Sequence, residues 1–323
     1  MLHLNWIWVM MRFNFVKFLK YLLTTLGLLI WTCVARADQI TQNDCRTVEP
    51  ASHNKSESLD FSDAILWKIF KAGQAPSYVF GTIHVADPRI TNLPEPVNER
   101  LNNASVYVME ALPEPEEAVR MSQMMFYSDG TSLKDFIDAG LFDRVAEILS
   151  NYQLSAETVT FLKPWAAFLI MNYPPEDGLP LDLQLLNTAR ENGAVLHGLE
   201  TLTEQGNVFS EMELDTQIQL LMDTLCNYEI VSNDFEQMKL FYLDRDLQGL
   251  FDYSNKYSFS EEKIYKNLVR RLLTDRNYIM VERMQPFLEQ GDAFIAIGAM
   301  HLPGEDGVLS LLVSKGYKVT AVY

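Results

Sequence analysis

The sequence predicts an α/β (α+β) protein: one mixed central β-sheet with long helical insertions, in pseudo-symmetric halves that each carry a Gly-x-x-His strand end. Three observations predict it. Short apolar runs rich in β-branched and aromatic residues occur near both ends and in the middle of the chain. Between them lie long stretches whose apolar residues recur at helical spacing. Finally, Tyr78-Val79-Phe80 runs into Gly81-Thr82-Ile83-His84, and Phe294-Ile295-Ala296-Ile297 runs into Gly298-Ala299-Met300-His301. The chain has five histidines in 323 residues, and two of them share this context. A glycine there lets the backbone leave a sheet sharply without a Cβ clash. One site built from both ends of the chain is the expectation.

Residues 1–37 read as an export signal. Arg12, Lys17 and Lys20 precede an apolar run from Tyr21 to Val34, and Ala35-Arg36-Ala37 supplies a small-x-small cleavage site. The run is short for a membrane span, so the expected location is periplasmic or secreted, without stable membrane insertion after cleavage. Lipidation at Cys33 is the alternative, although Trp31-Thr32 suits it poorly. Cleavage would leave Cys45 and Cys226, which in an oxidising compartment read as a disulfide fastening the N-terminal arm to a helix. The chain carries 43 acidic and 26 basic side chains, a formal net charge of −17, and the signal contains only basic ones. That balance favours solubility and argues against nucleic acid as a partner.

Taken in order, residues 38–60 are a polar arm in which His53 is a solvated side chain, and 61–323 form the folded domain. Ala64–Lys71 reads as a first strand, and Gly73-Gln74-Ala75-Pro76 as the turn of a hairpin into Tyr78–Phe80. Pro94–Asn103 is a short helix with proline near its start. Ala104–Met109 is the next strand, with Glu110 at its end. Residues 114–173 are helical in pattern: Pro115 opens one helix, Thr131-Ser132 caps another, and Pro164 starts a further one. Gly178-Leu179-Pro180 is a loop before a helix from Asp182 to Asn192, and Gly193–Glu200 a strand with a second terminal glutamate. Helices are expected over 214–228, 233–244, 247–257 and 261–290, with Pro286 bending or restarting the last. A strand over 293–297, a helix over 308–314 and a strand over 317–323 close the chain.

Four predicted strands thus end in a polar residue that a buried strand would not choose: His84, Glu110, Glu200 and His301. Sites in open α/β sheets form at the carboxyl ends of strands. Two imidazoles and two carboxylates suffice as ligands for zinc, manganese or cobalt. Each residue also has a plainer reading. His84 and His301 could be core histidines satisfied by backbone carbonyls. Glu110 leads an acidic cluster with Glu114, Glu116 and Glu117, and Glu200 could belong to the cap of the next helix. His197 reads as a core residue, and Arg270 and Arg271 as surface cations. No phosphate-binding glycine loop, Gly-x-Ser-x-Gly elbow or nucleophilic cysteine context is present, which disfavours nucleotide hydrolysis and serine or cysteine catalysis.

Leu66-Trp67-Lys68-Ile69, Tyr78-Val79-Phe80-Gly81-Thr82-Ile83-His84-Val85-Ala86-Asp87-Pro88, Gly198-Leu199-Glu200-Thr201, Asp275-Arg276-Asn277 and Gly298-Ala299-Met300-His301-Leu302-Pro303-Gly304 together resemble the TraB/GumN family. The resemblance covers roughly residues 60–323. That family is grouped with the pheromone-shutdown protein PrgY and the animal TIKI proteases. Its two Gly-x-x-His motifs, its glutamate after the strand following the first motif and its arginine before the second fall on His84, His301, Glu110 and Arg276, and Glu200 lies in its Gly-Leu-Glu segment. The resemblance implies a metal-dependent, peptidase-like hydrolase but not its substrate, for which a peptide or protein is the expectation. His84, His301 and Glu110 would hold the divalent metal ion. One of Glu110 and Glu200 would be a ligand and the other the general base, with Arg276 serving the oxyanion or a substrate carboxylate. The competing expectations are a non-catalytic exported binding protein that uses the same cleft, and a metal-dependent hydrolase of non-peptide substrates.

Overall fold

The computed structural model describes Cys45, residues 58–173, Pro175, residues 177–254 and residues 262–323. The export signal over 1–37, the alternative at Cys33 and most of the arm, His53 included, lie outside the described residues.

Six strands form one mixed sheet: β1 (Leu66–Phe70), β2 (Ser77–Thr82), β3 (Val106–Ala111), β4 (Val195–Glu200), β5 (Ala293–Gly298) and β6 (Lys318–Ala321), in the order β4-β3-β5-β2-β1-β6. β4, β3, β5 and β2 run parallel, and β1 is antiparallel to both β2 and β6. The parallel strands inside the sheet are covered on both faces, which is why β5 up to Ile297 and β3 up to Met109 are apolar runs rather than alternating ones. β1 and β2 form the expected hairpin, turning through Gly73 at φ 85°.

β2 and β5 are direct neighbours. Gly81 pairs with Ile297 and Thr82 with Gly298, so the two Gly-x-x-His ends leave the sheet side by side. A Cβ on Gly81 would stand 2.7 Å from Leu302 Cδ1 and 3.0 Å from the Ala299 Cα. Glycine is needed there because the turn after β5 packs directly on the end of β2.

The helices are α1 (Pro88–Thr91), α2 (Glu95–Asn103), α3 (Pro115–Met124), α4 (Ala139–Ser150), α5 (Ala156–Thr160), α6 (Pro164–Met171), α7 (Leu181–Glu191), α8 (Leu202–Ser210), α9 (Leu214–Cys226), α10 (Tyr228–Leu243), α11 (Leu247–Ser254), α12 (Glu262–Val269), α13 (Asp275–Gln290) and α14 (Val308–Ser314). None of those described is long and apolar enough to cross a membrane. One apolar core surrounds the sheet, and a second joins α4, α6 and α9 around Trp165, which stacks on Phe209 at 6.1 Å. A disulfide joins Cys45 to Cys226 at the end of α9, as the cysteine usage predicted.

Two local expectations are corrected. The helix after Ser132 is split: Ser132 and Asp135 form a capping box on the single turn Leu133–Asp135, and Asp138 then caps α4 by accepting from the Leu141 N–H. Pro286 does not restart its helix, since buried Met284 and Leu288 hold α13 against the core on either side of it. The interruption lies earlier, in a π turn over Arg270–Thr274 that joins α12 to α13.

Candidate active site

Arg276, the second residue of α13, joins the ends of two strands. Its Nη2 donates to Glu110 Oε2 and to Glu200 Oε2, each at 2.7 Å, and its Nε donates to Glu200 Oε1 at 3.0 Å. Glu110 is the next-to-last residue of β3 and Glu200 the last of β4, and both side chains are buried. Parallel pairing of Ala111 with Glu200 brings the carboxylates to one edge of the sheet. Two buried carboxylates are tolerated here because one guanidinium serves both with short, charge-assisted hydrogen bonds. Gln205 of α8 donates to Glu110 Oε2 at 3.1 Å, and the Gly298 N–H donates to Glu110 Oε1 at 2.6 Å. Burial pushes the Glu110 carboxyl up, but His301, Arg276, His84 and the Gly298 N–H outweigh it and hold the group at about 2. Glu110 is therefore an anion at any ordinary pH.

The π turn contributes to placing Arg276. Its Nη1 donates to the Leu272 carbonyl at 3.1 Å, inside that turn, so the side chain is tied back to its own helix as it reaches the carboxylates. Such turns are often found at functional sites.

His301 ends a short 3₁₀ turn after β5 and is buried. Its Nδ1 lies 2.6 Å from Asn277 Oδ1, and its Nε2 3.6 Å from Glu110 Oε1. Burial lowers its pKa to about 4, so the ring is neutral near pH 7. His84 stands two residues past β2 with its side chain 46% exposed. Its Nδ1 lies 2.7 Å from Asp182 Oδ2, and Asp182 Oδ1 accepts from the Thr82 hydroxyl at 2.7 Å. The Asp182 charge raises the His84 pKa to about 9, against burial, and solvent at the exposed ring screens that pair. The Tyr173 ring lies 6.3 Å from the His84 ring.

Of the residues singled out from sequence, Glu110, Glu200, Arg276 and His301 are thus in direct or near contact. His84 faces the same group, feeling the charges of Glu110 and Arg276, but makes no hydrogen bond to them among the described residues. His197 stays apart on the edge strand, half-buried with its ring 4.7 Å from Phe287. Arg271 donates to the carbonyls of Val208 and Asn207 rather than standing as a plain surface cation. Asp182, Asn277 and Gln205 carried no role in the sequence reading. Only the position of Asn277 directly after Arg276 hinted at one.

Among the described residues no three His, Cys, Asp or Glu side chains stand close enough together to hold a metal ion. The donor chemistry nonetheless suits a borderline divalent cation: two imidazoles, each engaged through Nδ1, and an ionised carboxylate. A cavity of about 280 Å³ opens beside Glu200 and Arg276, walled by Glu204, Arg271, Ile279 and Arg283.

The TraB/PrgY/gumN family model matches residues 65–321, the whole sheet with every residue of this cluster. The chain belongs to that family. Similar proteins include two from Danio rerio. One is named "Metalloprotease TIKI1", 22% identical over 348 aligned positions that cover 90% of this chain and 68% of the relative. The other is named "Metalloprotease TIKI2", 23% identical over 322 positions that cover 82% of this chain and 62% of the relative. The chain thus spans about two-thirds of the length of these relatives. No solved structure matches it significantly. Within this TraB/PrgY/gumN chain, the two Gly-x-x-His segments and the Gly-Leu-Glu segment lie where β2, β5 and β4 end, Leu66–Ile69 lies in β1, and Asp275-Arg276-Asn277 opens α13.

Proposed function

We propose that the chain is an exported, metal-dependent hydrolase of peptides, working at the edge of the sheet where β2, β3, β4 and β5 end. The observation that carries this reading is the convergence there of two imidazoles, each bound at Nδ1, with two carboxylates in a family whose similar proteins are named metalloproteases. His84, His301 and Glu110 would hold the ion, which when bound would polarise a scissile carbonyl and make water a better nucleophile. Manganese, cobalt and zinc all suit this donor set.

Glu200 would act as general base, being the carboxylate that does not approach His301. Each guanidinium nitrogen of Arg276 already donates to Glu110, Glu200 or Leu272. Its part in stabilising an oxyanion would therefore be mainly through its charge, with the second N–H of Nη1 as the one donor these bonds do not use. That same pairing favours the second reading, a binding protein that uses this cleft without catalysis, because both candidate bases are engaged.

Metal analysis and calorimetry on the purified protein separate the readings. Manganese, cobalt or zinc should bind stoichiometrically to the wild type and be lost in a folded His84→Ala/His301→Ala variant, and a peptide library should be cleaved only by the loaded wild type. Absence of binding in the wild type would remove the metallopeptidase. Binding without cleavage would favour the ligand-capturing protein.

A further inference from the structure

The two histidines share a feature that the family resemblance does not describe: each is engaged through Nδ1 by an oxygen acceptor from a different helix. At His301 the geometry settles the direction of the bond. The Asn277 Nδ2 donates to the Asp306 carbonyl at 2.8 Å, so its Oδ1 is the atom turned to the ring and must accept. The His301 proton therefore sits on Nδ1, and the neutral ring keeps a lone pair on Nε2, the atom 3.6 Å from Glu110 Oε1. Asn277 directly follows Arg276, so one turn of α13 positions both the guanidinium on the carboxylates and the amide on the histidine.

At His84 the acceptor is the Asp182 carboxylate on the first turn of α7. That turn is tied to the same loop twice more. Thr82 donates to Asp182 Oδ1, and the Leu181 N–H donates to the Val85 carbonyl at 2.8 Å. Two residues flanking His84 thus clamp the helix that carries its partner, which leaves the ring little rotational choice once Nδ1 is bound.

We propose that Asp182 and Asn277 are positioning residues that hold His84 and His301 by Nδ1 and leave each Nε2 as the atom offered to the site. This rests on the site assignment above, and it explains the choice of partners. A ring whose outer nitrogen is bound by a carboxylate or amide oxygen is fixed in tautomer and orientation, which is what a metal-ligating imidazole needs. The partners differ with their surroundings. His84 at the exposed rim has a carboxylate. Buried His301 stands beside Glu110, which shares Arg276 with Glu200, and takes a neutral amide that orients it without a third buried negative charge.

The test has two arms. Long-range ¹H–¹⁵N NMR on histidine-labelled, metal-free wild-type protein, assigned with His84→Gln and His301→Gln, reads the tautomers directly. His301 is expected with its proton on Nδ1 at neutral pH, and His84 likewise at pH 10, where its ring is neutral. A neutral ring of either histidine with its proton on Nε2 and none on Nδ1 would overturn the proposal whether or not the protein binds metal. In the second arm, zinc or manganese affinity is measured by calorimetry. Asp182→Ala and Asn277→Ala should each weaken it about 10–100-fold, and Asp182→Asn, which keeps an acceptor, should weaken it less. Wild-type affinity in both alanine variants would also overturn the proposal. A wild type that binds no metal would instead sink the metal-dependent reading and leave the tautomers to decide the positioning.

Discussion

At the scale of single residues, Arg276 decides the most. It neutralises two buried carboxylates to which no other arginine or lysine hydrogen-bonds among the described residues, and it does so with a planar fork that lysine cannot copy. Arg276→Ala should cost about 3–5 kcal/mol, since it strands two buried charges. Urea unfolding would show this, and Arg276→Lys should recover only part of it. A variant as stable as the wild type would mean that water reaches these carboxylates. His301 makes the protein sensitive to acid. Its folded pKa of about 4 lies below the ordinary value of 6.5, so the unfolded chain takes up the proton first as pH falls. Stability should therefore be intact above 6.5 and decline from there to about 4, by up to ~3 kcal/mol. Glu110, held at about 2, adds a further loss only below 4.5. Unfolding midpoints compared at pH 7 and 4.5 should differ less in His301→Gln than in the wild type, and equal differences would refute the assignment. The four polar strand ends were legible because a buried strand has no reason to carry them. Asp182 and Asn277 were not, because nothing local separates them from any Asp or Asn near the start of a helix.

At the scale of elements, the pairing of β2 with β5 makes the site. Gly81→Ala would drive a methyl group into Leu302 and the Ala299 backbone, and should destabilise the protein by about 1–3 kcal/mol. Gly298→Ala differs in what it disturbs, as its Cβ would stand 3.0 Å from Glu110 Oε1. Metal affinity should fall more than stability in Gly298→Ala, and the reverse should hold in Gly81→Ala. Calorimetry and thermal melting on the two variants check this, and identical profiles would contradict it. The strand cores and the helix over 308–314 could be read from apolar pattern and glycine alone. The π turn could not, because its residues fit helical periodicity as well as those around them do. The continuity of α13 through Pro286 was likewise hidden, since it depends on what Met284 and Leu288 pack against.

At the scale of the molecule, a covalent link fastens Cys45 of the N-terminal arm to the helical core at the end of α9. Cys45 and Cys226 are 181 positions apart, so their bond closes most of the chain into a loop. Its removal in Cys45→Ala/Cys226→Ala should cost about 2–5 kcal/mol, more through the unfolded state than through the folded one. Scanning calorimetry should show a lower Tm in the variant, matched by the wild type under reductant. No change would mean that the link constrains little in the unfolded chain.

By itself the sequence determined the fold class, the strands that matter, both Gly-x-x-His ends and the cysteine pair. Each follows from local pattern: apolar runs, glycines at strand ends, and a small set of residues with few partners to choose from. Only the tertiary structure decided that β2 and β5 lie side by side, that Arg276 bridges Glu110 and Glu200, and that Asp182 and Asn277 hold the two imidazoles. The side-chain contacts join residues 24 to 166 positions apart, and the pairing of β2 with β5 joins residues 216 apart. They depend on strand order and helix placement, which the packing of the whole chain sets and no local pattern encodes.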